Sequence, residues 1–385
     1  MHDFDRLINR RASESLKWGS YEEDVLPMWV ADMDFAAPDP VIQSLRNRVD
    51  HGVFGYGMRP QPLIETIAAR IRTLYHWDVP LDAIAFTPGV VPGFNLAVRS
   101  LASARGELLI QTPVYPPFLK AAGHSGLLTQ INELKRSTEG SYEIDFDAFQ
   151  SAITSSTLSF LLCNPHNPVG RVFRSEELAR MAEICLRNKI TIISDEIHCD
   201  LVFEGHRHTP IASLDPEIAK RTITLMAPSK TFNMAGLECS FAVIPDPELR
   251  RRFERSRGGM VPGGNLWGDA AALAAYREAH SWLEELLKYL EANRELILEF
   301  VSNRFHEISM PRPEGTFLAW LDCRGAGFSE APSSFFLKRA RVALNDGRHF
   351  GPGGEGFIRL NFGCPRSVLQ EGLERMARAI ETVRG

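Results

Sequence analysis

Lys230 lies in Ala227-Pro228-Ser229-Lys230-Thr231-Phe232, between an apolar stretch and a small-residue turn, an unusual place for a solvated cation. The preceding Thr222-Ile223-Thr224-Leu225-Met226 reads as a buried strand, so the amine emerges at a strand's carboxyl end, where α/β sheets hold their ligands. A desolvated amine there gives up its proton and can attack a carbonyl carbon, which is the chemistry of a Schiff-base lysine. Asp195 follows Thr191-Ile192-Ile193-Ser194 and reaches the same edge, where a buried carboxylate could keep a pyridinium nitrogen protonated. Glu196 is the weaker candidate for that task, since successive side chains leaving a strand point to opposite faces.

Other residues fall at matching positions. Asn164-Pro165-His166-Asn167-Pro168-Val169-Gly170 follows another apolar run, and its prolines fix a turn that could aim the Asn167 amide at a phenolate oxygen. Thr87-Pro88-Gly89-Val90-Val91-Pro92-Gly93 joins a strand to a helix, leaving the N–H groups of Gly89, Val90 and Val91 to cradle an anion such as phosphate. Tyr115, in Thr112-Pro113-Val114-Tyr115-Pro116-Pro117, could lie flat on a heterocyclic ring. Arg359 stands inside the apolar run Phe357-Ile358-Arg359-Leu360-Asn361, and its fork matches a carboxylate. Taken singly, each has an ordinary alternative: a surface lysine, an aspartate cap, a proline turn, a packed tyrosine, an edge-strand arginine.

The elements that must position these groups alternate from about residue 39. Asp39-Pro40 reads as a cap and first turn, Val41, Leu45 and Val49 share one helical face, and Gly52 is the stop. A second amphipathic helix carries Leu63, Ile64, Ile67, Ile71 and Leu74. Short apolar strands are expected at 84–87, 108–111, 159–162, 191–194 and 222–226, with a helix from Ser175 to Lys189 opened by a capping signal at Ser175. That rhythm predicts a mostly parallel α/β sheet. Near residue 280 a charged helix with Leu283, Leu286, Leu287 and Leu290, then a strand at 317–321, predicts a smaller α+β domain. The expected division is a large domain over 46–279 and a small one from 1–45 plus 280–385.

With 385 residues, 44% hydrophobic and 24% charged, the chain can bury a sizeable core, and its net charge of −5 offers no footprint for nucleic acid or an anionic membrane. Six cysteines without CxxC spacing, mostly among apolar neighbours, read as reduced core thiols rather than metal ligands. The polar first residues lack a signal-peptide core, no apolar run is long enough to span a membrane, and a cytoplasmic enzyme is expected.

The order anion loop, Tyr115, Asn167, Asp195, Lys230, then Arg359 in a separate domain resembles the fold-type I pyridoxal-phosphate enzymes, and within them the MalY/PatB family of cystathionine β-lyases. The resemblance runs from Phe4 to about Arg375. Its most specific pieces are Leu26-Pro27-Met28-Trp29-Val30-Ala31-Asp32-Met33-Asp34-Phe35, Phe54-Gly55-Tyr56, Ser194-Asp195-Glu196-Ile197-His198, Ser229-Lys230-Thr231-Phe232-Asn233 and Gly315-Thr316-Phe317-Leu318-Ala319-Trp320. It implies that pyridoxal 5′-phosphate is held by Lys230 as a Schiff base, with Asp195 on the ring nitrogen, Asn167 on the phenolate oxygen and Tyr115 on the ring face. Gly89, Val90, Val91 and Ser229 would hold the phosphate. Tyr56 would reach the same phosphate from a second subunit, making a homodimer with shared sites. Arg359 would clamp the α-carboxylate of an amino-acid substrate, helped by backbone N–H groups near Ala31 and Asp32.

The implied activity is β-elimination from cystathionine-like S-substituted cysteines, giving a thiol, pyruvate and ammonia. An aminotransferase is the alternative, and a non-catalytic interaction protein on the same fold the second. Glu238 stands where many transaminases carry a phosphate-binding arginine, which favours the lyase.

Overall fold

A computed structural model describes residues 2–138 and 140–384. Its centre is a seven-stranded sheet built from β1 (Ile84–Thr87), β2 (Glu107–Thr112), β3 (Leu128–Glu133), β4 (Thr157–Cys163), β5 (Thr191–Asp195), β6 (Thr222–Met226) and β7 (Ser240–Val243), in the order β1-β7-β6-β5-β4-β2-β3. The β2–β3, β2–β4, β4–β5 and β5–β6 pairs are parallel, while β7 runs antiparallel to β1 and β6. Alternating side chains load both faces, as a strand's period of two requires. Leu108, Ile110, Leu161, Ile193, Ile223 and Leu225 pack with Phe94 and Val98 of the helix Val90–Leu101. Leu109, Phe160, Leu162 and Ile192 pack with Leu178 and Met181 of the helix Ser175–Arg187.

Beyond this sheet, the helix His280–Arg304 leads to an antiparallel trio in which Phe357–Asn361 pairs with Leu318–Asp322 on one side and Asn345–Asp346 on the other. The helix Arg366–Arg384 follows. The amino-terminal segment crosses to this region, where Leu26–Pro27 lies parallel to Val342–Ala343. One apolar cluster runs from Phe4, Met33 and Phe35 through Leu63, Ile67 and Trp282 to Phe317 and Phe362, tying the segment to both sheets.

Several boundaries differ from expectation. The helix Asp39–His51 starts at Asp39 after Pro38, and Asp39 makes no side-chain cap; Gly52, at φ 72°, ends it. Ser175 is likewise the first helical residue, and the cap is a bond from the Arg174 N–H to the Glu177 carboxylate at 2.8 Å. The strand read at 317–321 is Leu318–Asp322. Val49, placed on the buried face by spacing, is exposed. Two strands of the seven-stranded sheet lie outside the expected set: β3 is an edge strand with mostly accessible side chains, and β7 is four residues of mixed character.

Candidate active site

The parallel ladder levels the carboxyl ends of its strands: Cys163 pairs with Asp195, and Asp195 with Leu225. Asp195 is therefore the last residue of β5, and Lys230 follows β6 on the one-turn helix Pro228–Thr231. Both open into a cavity of about 400 Å³ shared with Gly89, Val90, Val91, Tyr115, Asn167, Ser229, Ala31 and Arg359. Asp32 and Tyr56 do not line it.

Burial sets the chemistry of this cavity. Desolvation pushes the Asp195 carboxyl up to about 7, although the Ile197 N–H at 3.1 Å and the Lys230 charge favour its anion. The same cause pulls the Lys230 ammonium down to about 8, outweighing the attraction of Asp32 and Asp195. Lys230 Nζ donates to the Ala31 carbonyl at 2.6 Å. Glu196 turns away, accepting from Ser194 Oγ at 2.9 Å and His208 Nε2 at 2.8 Å, as strand alternation requires.

Arg359 is buried, and its fork donates to Asn167 Oδ1 at 2.9 Å, the Trp29 carbonyl at 2.9 Å and Asn345 Oδ1 at 2.7 Å. Its Nε has no hydrogen-bond partner, and the Phe350 ring lies 5.0 Å from the guanidinium carbon. Burial draws its pKa down to about 10. A buried guanidinium facing only neutral acceptors is a receptor for an anion.

The wall that carries Ala31 is held by two asparagines. Asn233 accepts from the Met33 N–H at 3.0 Å and donates to the carbonyls of Met33 at 2.9 Å and Phe35 at 2.7 Å. Asn361 donates to the carbonyls of Val30 at 2.5 Å and Asp32 at 2.7 Å. The Asp32 carboxylate pairs with Arg10 at 2.7 Å, beside the buried Asp34–Lys17 pair, also at 2.7 Å. Ala31 thus presents its carbonyl to the lysine.

Sequence reasoning passed over His198, Trp29, Asn345 and Phe350 as cavity residues. Only His198 carried a signal, standing three places after Asp195 in a tight turn. Its Nδ1 is buried without a partner, and desolvation together with Lys230 and Arg359 lowers its pKa to about 3, so the ring is neutral. Glu238 also lines the cavity, at φ 50°. Tyr56 is fully exposed among Val53, Phe54 and Met58, with Phe54 stacked on Trp267 at 5.4 Å.

These residues fit pyridoxal phosphate. A desolvated lysine can take its aldehyde carbon, and the strained Asp195 carboxyl suits a ring cation. The first N–H groups of the helix Val90–Leu101, whose N-cap is Gly89 with no side-chain cap, suit its phosphate.

The family model "Aminotransferase class I and II" matches residues 23–376. Cystathionine beta-lyase PatB of Bacillus subtilis is 39% identical over 98% of this chain and 100% of its own. The chain belongs to the class I and II aminotransferase family, on its MalY/PatB branch. Among solved structures of the family, cystalysin from Treponema denticola, which contains a pyridoxal 5′-phosphate cofactor, superposes with a TM-score of 0.95 at 35% identity, covering 100% of both chains. OvoB superposes with a TM-score of 0.94 at 44% identity, covering 98% of this chain and 99% of its own. This family member is a pyridoxal-phosphate enzyme of the fold-type I class.

Proposed function

We propose that this chain is a carbon-sulfur β-lyase acting on cystathionine-like S-substituted cysteines, with the residues assigned above as its site. The observation that carries the reading is the shared cavity in which a desolvated lysine faces a buried, ion-free arginine. Bound pyridoxal phosphate supplies an electron-withdrawing ring that makes the Cα proton of an amino acid acidic. Arg359 binds the substrate carboxylate, and Asn167 and Tyr115 orient the ring. Lys230, whose ammonium burial draws down to about 8, takes the Cα proton and returns a proton to the departing sulfur. The thiol leaves, and the aminoacrylate that remains is released and hydrolysed by a water molecule to pyruvate and ammonia.

The relatives named as cystathionine β-lyases support this reading over transamination, and so does Glu238, which stands where many transaminases carry a phosphate-binding arginine. Val53, Phe54, Tyr56 and Met58 form an apolar surface suited to a second copy, from which Tyr56 would reach the partner's phosphate. The large domain is taken as 46–279 and the small one as the remainder, and six buried free thiols suit a reducing cytoplasm. Lys230→Ala should abolish pyruvate and thiol release from cystathionine. Full turnover by that variant, or transamination of alanine with no thiol release by the parent protein, sinks the assignment.

A further inference from the structure

Arg359 and Asn345 stand directly opposite one another in the antiparallel ladder between Phe357–Asn361 and Asn345–Asp346. Residues so paired share a face, so Asn345 is delivered to the guanidinium by register rather than by loop placement. A guanidinium carries five N–H donors. Three are spent, on Asn167 Oδ1, the Trp29 carbonyl and Asn345 Oδ1, leaving two, one of them the unpartnered Nε. All three acceptors are neutral. The buried Arg171 and Arg294 and the half-buried Arg70 are treated differently: Arg171 pairs with Glu177 and Glu314, Arg70 with Asp200, and Arg294 with Glu291.

We infer that Asn345 is a positioning residue that fixes the Arg359 fork while leaving its charge unspent, and so sets the preference of the site for substrates with a free carboxylate. An aspartate at the same place would have the same size and reach, but its charge would pair with the guanidinium and compete with the substrate. An alanine would remove one of three tethers and leave the charge available. The inference rests on Arg359 being the carboxylate receptor, and holds for elimination and transamination alike.

The test uses the holoenzyme and follows the change in cofactor absorbance as L-alanine or L-alanine methyl ester is titrated in, for the parent and for Asn345→Asp and Asn345→Ala. Asn345→Asp should weaken L-alanine binding about 10- to 100-fold, the scale of losing one charge-assisted carboxylate bond, and leave the ester within about twofold. Asn345→Ala should weaken L-alanine binding by less, about 3- to 10-fold, again sparing the ester. With cystathionine, both variants should raise KM far more than they lower kcat. Equal losses for acid and ester, or an Asp variant no worse than the Ala variant, overturn the inference. Should the Asp variant fail to fold, an Ala variant that binds L-alanine as the parent does overturns it by itself. Failure of the lyase assignment would show differently, as absent thiol release with the acid-against-ester difference intact.

Discussion

At the scale of single residues, one cause acts in opposite directions on two groups: burial raises the pKa of Asp195 and lowers that of Lys230, favouring the neutral form of each. Between the ordinary carboxyl value of 3.8 and about 7, the folded apoprotein keeps a proton on Asp195 that the unfolded chain has released, so its stability falls as pH rises through that window. Lys230 works the other way, between about 8 and 10.5, where the unfolded chain holds the extra proton and stability rises with pH. Asp195→Asn should abolish the first slope, leaving the apoprotein more stable than the parent at pH 7.5 in urea titrations. The same variant should bind cofactor about 10- to 100-fold more weakly, because a neutral amide cannot hold a ring cation. A parallel loss of apoprotein stability would contradict the assignment of Asp195 as a strained carboxyl. Lys230, Asp195 and Arg359 were legible in the sequence because charged residues at the ends or middles of apolar runs are conspicuous. Asn345 was not, because its task exists only once the ladder pairs it with Arg359.

At the scale of elements, strand periodicity located five of the seven strands that form the platform, since fully buried parallel strands are continuous apolar runs. The other two gave little signal for physical reasons: an edge strand half in solvent need not be apolar, and β7 spans only Ser240–Val243. The wall of the site depends on contacts that sequence cannot rank, chiefly Asn233, which reaches across 200 positions to Met33. Its backbone sits at φ 51°, a left-handed conformation that asparagine tolerates better than most residues. Asn233→Ala should therefore cost about 1–3 kcal/mol of stability through lost hydrogen bonds to Met33 and Phe35. It should also loosen the Ala31 carbonyl that holds Lys230, which would appear as a changed pH dependence of cofactor absorbance. Unchanged thermal unfolding and absorbance would show the anchor to be dispensable.

At the scale of the whole molecule, Val49, Val53, Phe54, Tyr56 and Met58 form an exposed apolar set, the surface on which the proposed pairing of two copies rests. Val49, which helical spacing put on the buried face, belongs to this exposed set. Phe54→Glu should convert a dimer to monomers in sedimentation and weaken cofactor retention at low protein concentration, whereas a monomeric parent would dismiss the shared-site reading. The amino-terminal segment has a different consequence, in the timing of synthesis. Leu26–Pro27 pairs with Val342–Ala343, and the Trp29 carbonyl is bonded to an arginine 330 positions later. A growing chain can finish its parallel platform, with the lysine in place, long before that arginine and the Asn345 opposite it have been made. Until then the amino-terminal segment has only part of its dock: Asn233 can hold Met33 and Phe35, but the strand Val342–Ala343 and Asn361 are still missing. A ribosome-stalled or carboxyl-truncated product thus carries the reactive amine with its wall anchored only by Asn233 and without the clamp, and synthesis of the last strands is what completes the site.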